Sequence, residues 1–459
     1  MKKFYRYTGF VLVASIVVAC SLQLGAETRP NGQSSTTQSQ LVDAVWAGTG
    51  ITYDAISVGP IVYIAYYNTE RRFSVARIDT AKHSVIKKTL DSMFAGWDAH
   101  NSVVLAYDRF GYLHVTGNMH AIPLIYARTL RPNDFNSLTQ TNKMVGNDEL
   151  SVTYPNFFFL ANGDLLFSYR SGQSGKGVEL INRFDGEHWS RLLSKPLFAG
   201  ATKADHVNAY HTNYTLGPDS YYHMAWVWRK TSIADTNFNV NYVRSKDLIH
   251  WEDSRHRVLE LSITPVNAEV VDAIPIRGGL FNNVHLGFDA EGKPVISYVK
   301  YDNEGNSQLY HARPDKAGWQ IKQATDWKYR WAFSGGGTLV QEIAFSGVRN
   351  EGKHLVENVT HKLYGKVQFE LDPVTMSARK ISATHQNTSH SDKTVSALKP
   401  FSIRSVTIRP TTKDSVRGQI QWQTLPSDNN DKPRSCESIG LPVGCKMTSQ
   451  LEIVNLNAH

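Results

Sequence analysis

Cysteine is scarce: three residues in a chain of 459, with none of the Cys/His spacings that build a zinc finger. No run of Lys/Arg marks a nucleic-acid-binding arm, and no glycine-rich phosphate loop leads into a helix. No amphipathic pattern of helical period persists beyond about three turns, which argues against a helical repeat. The longest N-terminal apolar run, Phe10 to Ala19, is too short to cross a bilayer. Nucleic acid is therefore not an expected partner. Membrane association is expected only through a lipid anchor.

Aromatics, by contrast, are plentiful, with 10 Trp, 21 Tyr and 19 Phe, and the hydrophobic share of 41% is that of a globular protein. A formal charge of +8 favours polyanionic partners by long-range attraction, without choosing among them. Lys2, Lys3 and Arg6 ahead of the Phe10–Ala19 run form an export signal. The run ends Val17-Val18-Ala19-Cys20, which resembles a bacterial lipobox in which Cys20 is acylated. The expected destination is the outer membrane or cell surface, or the exterior if the signal is simply cleaved. Residues 21–40 are rich in Ser, Thr and Gln and read as a flexible linker. The two remaining cysteines, Cys436 and Cys445, are expected to close a local disulfide, as suits an exported chain.

From Leu41 to the C-terminus one theme recurs: a strand, a turn centred on Gly or Asp, and a second strand of alternating or aromatic residues. The clearest copies turn at Gly111, Gly163, Gly217 and Gly292, roughly 50 to 75 residues apart. Several end in a tryptophan, Trp189, Trp251 and Trp319, expected to pack between adjacent units, and Ser245-to-Trp251 resembles a degenerate Asp-box. The pattern predicts an all-β fold, a single β-propeller over residues 41–459. At about 60 residues per unit it would have about seven blades. A ring of this kind removes exposed sheet edges and leaves a polar central funnel. A monomer is expected.

Two histidine-bearing stretches stand out. Asp98-Ala99-His100-Asn101 precedes the apolar strand Val103–Tyr107, and Asn118-Met119-His120 follows the return strand. If Gly111 is the hairpin tip, Asn101 lies near Asn118, and His100 and His120 share the open end. Paired imidazoles flanked by amides on a basic chain suit holding an anion and moving a proton. In the next unit Tyr169 and Arg170 alternate, so at most one of them faces the funnel directly. His211 and Arg229 are further candidate substrate contacts.

Together, Asp98–Asn101, Asn118–His120, the Asp164–Arg170 strand with its Ser-Gly loop, and Trp226–Arg229 resemble the BNR-repeat polysaccharide lyases, specifically the seven-bladed ulvan lyases. The resemblance covers most of residues 41–330. It implies cleavage of an anionic, uronate-containing polysaccharide by β-elimination, with ulvan the expected substrate. It further implies His100 and Tyr169 in proton transfer, His120 and Arg183 neutralising the uronate carboxylate, and Asn101 as a supporting donor, with the roles interchangeable. Asn118, Arg170, His211 and Arg229 would contact substrate. The chemistry requires no cofactor, although the family can hold a structural metal whose ligands the sequence does not name. Two other readings share the propeller: a sialidase-like glycoside hydrolase, and a carbohydrate-binding surface lipoprotein without catalysis.

Overall fold

The structure is a computed structural model, and it describes residues 39–202, 205–352, 354–381, 401–427 and 431–457. The export signal, Cys20 and nearly all of the predicted linker lie outside the described residues. No helix among the described residues is long and apolar enough to cross a membrane.

The chain is a β-propeller. Its described residues form seven sheets of four or more strands, built almost entirely from antiparallel pairs of sequence neighbours. One sheet differs in origin: Gln40–Trp46, from the start of the described residues, pairs antiparallel with Thr448–Asn457 at their end, beside Arg417–Thr424 and Ser402–Thr407. The first and last described strands thus close the ring by hydrogen bonding, which protects edges that would otherwise be open.

Alternation along each strand sends apolar side chains to both faces, because every sheet is flanked by two others. The hydrophobic clusters accordingly lie in the seams between consecutive sheets. Tyr126 and Met144 on one side meet Phe157, Phe167, Phe184 and Trp189 on the other. The next seam gathers Leu166, Ile181, Trp226, Trp228 and Trp251. Trp189 fills the predicted seam position: its indole donates to the Tyr126 hydroxyl at 3.0 Å and its ring lies 5.1 Å from Phe184. Trp319 similarly reaches Tyr242 of the preceding sheet at 5.1 Å.

Turns repeat as well. Asp108, Asp253, Asp289 and Asp302 each accept from the backbone N–H groups two and four residues on, so one carboxylate ties each hairpin tip. The Ser245–Trp251 segment forms the turn expected of an Asp-box, with Asp247 accepting from the N–H groups of Ile249 and His250 and Trp251 buried beneath. Buried imidazoles serve the same framework: His114 lies between Asp108 at 3.0 Å and the Tyr126 hydroxyl at 2.7 Å, while His223 lies between Asp219 and Tyr242. The Cys436–Cys445 disulfide is formed as expected.

Because Trp189 fills one seam with both apolar area and a hydrogen bond, Trp189→Ala should cost about 3–5 kcal/mol. Denaturant unfolding should show a lower midpoint with an unchanged slope.

Candidate functional site

The site is built where the chain passes from one sheet to the next. Val103–Tyr107 and Leu113–Gly117 form the predicted hairpin, with Val103 opposite Gly117. Beyond Gly117 the structure departs from the simple hairpin: His120–Ile122 belongs to the following sheet, where His120 pairs with Thr153. The crossing depends on Gly117, at φ +154°, because a Cβ there would meet the Ser102 carbonyl oxygen and the Val103 Cα at 2.7 Å. Asn118 and Ala121 follow in left-handed conformations at +60° and +57°. Such strained residues cluster at functional sites.

The crossing brings His120 onto His100, with ring centroids 4.6 Å apart. Asp98 holds both. One carboxylate oxygen lies 2.6 Å from His100 Nδ1 and also accepts the His100 backbone N–H, and the other oxygen bonds His120 Nδ1. Burial alone would push the Asp98 carboxyl up, but the hydrogen bonds from His100 and His120 and their positive potential outweigh it, holding it well below the usual carboxylate range. With both Nδ1 atoms committed to the carboxylate, each neutral ring is assigned its lone pair on Nε2. Asn101 and Asn118 sit behind this pair: Asn101 donates to the Asp98 carbonyl and accepts from Tyr67, and Asn118 donates to Ser92. They hold the loops that present the imidazoles.

Facing the imidazoles is Tyr154, whose ring centroid lies 5.9 Å from that of His100. Tyr154 occupies a β-bulge: the pairing register of Val152–Phe159 shifts between Thr153 and Asn156, and Tyr154 sits at φ +57°. The bulge turns this aromatic out of the seam and onto the rim, where it is 39% exposed. Partial burial and the nearby Tyr210 raise its pKa to about 12, so it holds its proton. Tyr210 lies 6.2 Å away and behaves in the opposite sense. Burial favours its neutral form, yet Arg229 and Arg170, helped by the Ser174 hydrogen bond, bring its pKa below the ordinary tyrosine value.

Two arginines complete the wall. Arg229, 6% exposed, stacks its guanidinium 4.0 Å from the Tyr210 ring and donates to the Tyr210 hydroxyl, Asn237 and Asn282. Arg170, 3% exposed, lies over Tyr154 at 5.0 Å and donates to Thr153, while its Nε and Nη1 have no partner. Neither forms an ion pair with a carboxylate among the described residues. Buried cations without counter-ions are costly unless an anion completes them.

Several sequence expectations are corrected. Tyr169 faces the opposite way from Arg170, as alternation requires, and is fully buried in the seam. Its hydroxyl donates to the Asp148 carbonyl and accepts from Arg191, and burial raises it to about 12. Arg183 pairs with Asp164 at 2.6 Å beside Arg109. It lies opposite Leu166, about 13 Å along the strand from Arg170. His211 adjoins Tyr210 but takes the other face, bonded to Glu179 and the Thr212 carbonyl. His100, His120, Arg170 and Arg229 are brought together. The sequence reading missed Asp98 as the bridging carboxylate, Tyr154 and Tyr210. Pro155 within a strand was a legible sign of the bulge beside Tyr154.

Asp98, His100 and His120 also offer ligand atoms within 4.8 Å of one another, a nitrogen–oxygen set that a divalent first-row cation accepts. Metal binding there would engage both imidazoles.

A ring of antiparallel sheets with a cationic, imidazole-bearing rim defines a propeller with a site suited to an acidic ligand. The chain belongs to the BNR repeat-containing family, whose sequence model matches residues 61–327. Among solved structures it is similar to the polysaccharide lyase Uly1, with 14% identity, a TM-score of 0.56, and 88% of this chain and 90% of the other covered. It is similar also to a PL25 ulvan lyase, with 13% identity, a TM-score of 0.56, and 85% and 94% covered. The same lyase bound to -[GlcA(1-4)Rha3S]- aligns at 12% identity with a TM-score of 0.56, again over 85% and 94%. No curated protein matches the sequence. At these identities the likeness concerns the fold.

Asp98 is stabilising while ionised, because its folded pKa lies below its unfolded value. That contribution is complete above about pH 5 and is lost as pH falls through the lowered folded value. Thermal melts of wild type and Asp98→Asn should therefore differ most near neutral pH and converge in acid.

Proposed function

We propose that the protein is a polysaccharide lyase that cleaves a uronate-containing glycan, of the ulvan type, by β-elimination. The observation that carries this reading is the pair of buried, carboxylate-free guanidiniums of Arg170 and Arg229 opposite two imidazoles and a protonated tyrosine. The likeness to ulvan lyases in fold supports it.

In such a site the uronate carboxylate takes the place of the missing counter-ion against Arg170 and Arg229. Neutralising the carboxylate makes the proton on carbon 5 more acidic, and fixed donors stabilise the enolate-like charge that develops when it leaves. His100, oriented by Asp98, accepts that proton on Nε2. The electron pair of the broken C–H bond forms the C4–C5 double bond as the C4–O bond breaks. The departing glycosidic oxygen takes the Tyr154 proton, which a pKa near 12 keeps in place until the oxygen becomes basic. His120 shares the Asp98 carboxylate and adds a second imidazole to the carboxylate-facing side.

Hydrolysis of the sialidase or retaining type fits less well. It needs a carboxylic acid able to donate a proton, and the carboxyl between the imidazoles, Asp98, is held ionised by two hydrogen bonds.

Incubation with ulvan should raise ultraviolet absorbance as unsaturated uronyl ends form. New reducing ends without that rise would establish hydrolysis instead. His100→Ala, Tyr154→Phe and Arg170→Met should each lower turnover by about two orders of magnitude. Tyr169→Phe and Arg183→Ala, away from the rim, should remain within about threefold of wild type. Loss of turnover on chelation, restored by a divalent cation, would shift the imidazoles from proton transfer to metal binding.

A further inference from the structure

A further arginine without a carboxylate partner among the described residues reaches the loop that leads into Asp98. Arg71 closes the turn between Ile61–Tyr67 and Arg72–Asp79 in a left-handed conformation, φ +64°. The turn is tied by Asn68, whose side-chain oxygen accepts from the N–H groups of Glu70 and Arg72 at 3.0 Å. This geometry lays the Arg71 guanidinium over three aromatic rings, at 4.2 Å from Trp46, 5.0 Å from Phe94 and 5.7 Å from Trp97. Among the described residues its guanidinium donates to the Gly96 carbonyl alone, its Nε is buried without a partner, and it forms no ion pair with a carboxylate.

Trp97 connects this cage to the chemistry. It packs edge-on against Trp46 at 5.4 Å, is half-buried, and immediately precedes Asp98. Even a fully extended chain separates Trp97 from His100 by no more than about 11 Å. An aromatic platform beside a guanidinium that has no carboxylate partner is the combination that receives a sugar ring with an acidic substituent: the ring face covers the indole and the anion meets the cation.

The geometry points to Arg71 and Trp97 as a binding subsite for a second acidic sugar residue, carrying carboxylate or sulfate, next to the residue being cleaved. This rests on the lyase reading for the identity of the neighbouring residue. The subsite sets how the polymer is held and takes no part in bond breaking. A purely structural Arg71, stapling the Gly96 loop under Asp98, would act instead through the imidazoles.

The two roles separate in kinetics and in binding. Arg71→Met, which keeps the stem and loses the charge, and Trp97→Ala should each raise KM for the sulfated polymer tenfold or more, the size expected for one charge-assisted contact. Their kcat should stay within about twofold. Dissociation constants measured in the His100→Ala background should show the same loss. If the loss vanishes with chemically desulfated polymer, the anion is sulfate; if it persists, the anion is carboxylate. An unchanged KM, or a fall in kcat at constant KM with a lowered melting temperature, would overturn the subsite. Should the wild-type protein form no unsaturated ends, the lyase reading fails, while titration of the wild type and Arg71→Met with the same polymers still tests Arg71.

Discussion

The Asp98 carboxylate is the contact on which the rim depends. One imidazole reaches it from the loop before Val103–Tyr107 and the other from the crossing into the following sheet, so a single side chain ties two sheets together. That tie orients both Nε2 atoms and stores two hydrogen bonds in one ionised group. The strained backbone at Gly117, Asn118 and Ala121 is the conformational cost of delivering the second imidazole there.

Around this tie the rim divides its labour by charge. Seam residues that carry charge are satisfied internally: Asp108 and Asp219 by histidines, Asp164 by Arg109 and Arg183, His211 by Glu179. Arg170, Arg229 and Arg71 are not. His100 and His120, which share Asp98, differ from His114 and His223, each also paired with an aspartate, in being partly exposed where the latter are fully buried.

Much of the framework was legible in the sequence because it is periodic. Turn aspartates and glycines, alternating strands and seam tryptophans each follow from local rules, and the structure places them as those rules require. The two histidines were legible because they flank one recognisable hairpin. Tyr154 was not, since a bulge changes which face a residue takes and alternation then misleads; Tyr169 seemed the natural tyrosine only because its strand is regular. Arg183 lost its candidacy to a pairing with Asp164 that joins residues 19 positions apart and has no local signature. Tyr210 was passed over for its neighbour His211, because one residue of register decides which of them faces the rim.

Closure of the ring through Gln40–Trp46 and Thr448–Asn457 has a consequence of its own. When the first and last described strands lie side by side in one sheet, the order of the sheets becomes circular. A chain opened at an exposed hairpin tip away from the histidine rim, such as that at Gly292, and rejoined near its present ends would specify the same ring. The architecture is thus set by neighbour relations among the sheets.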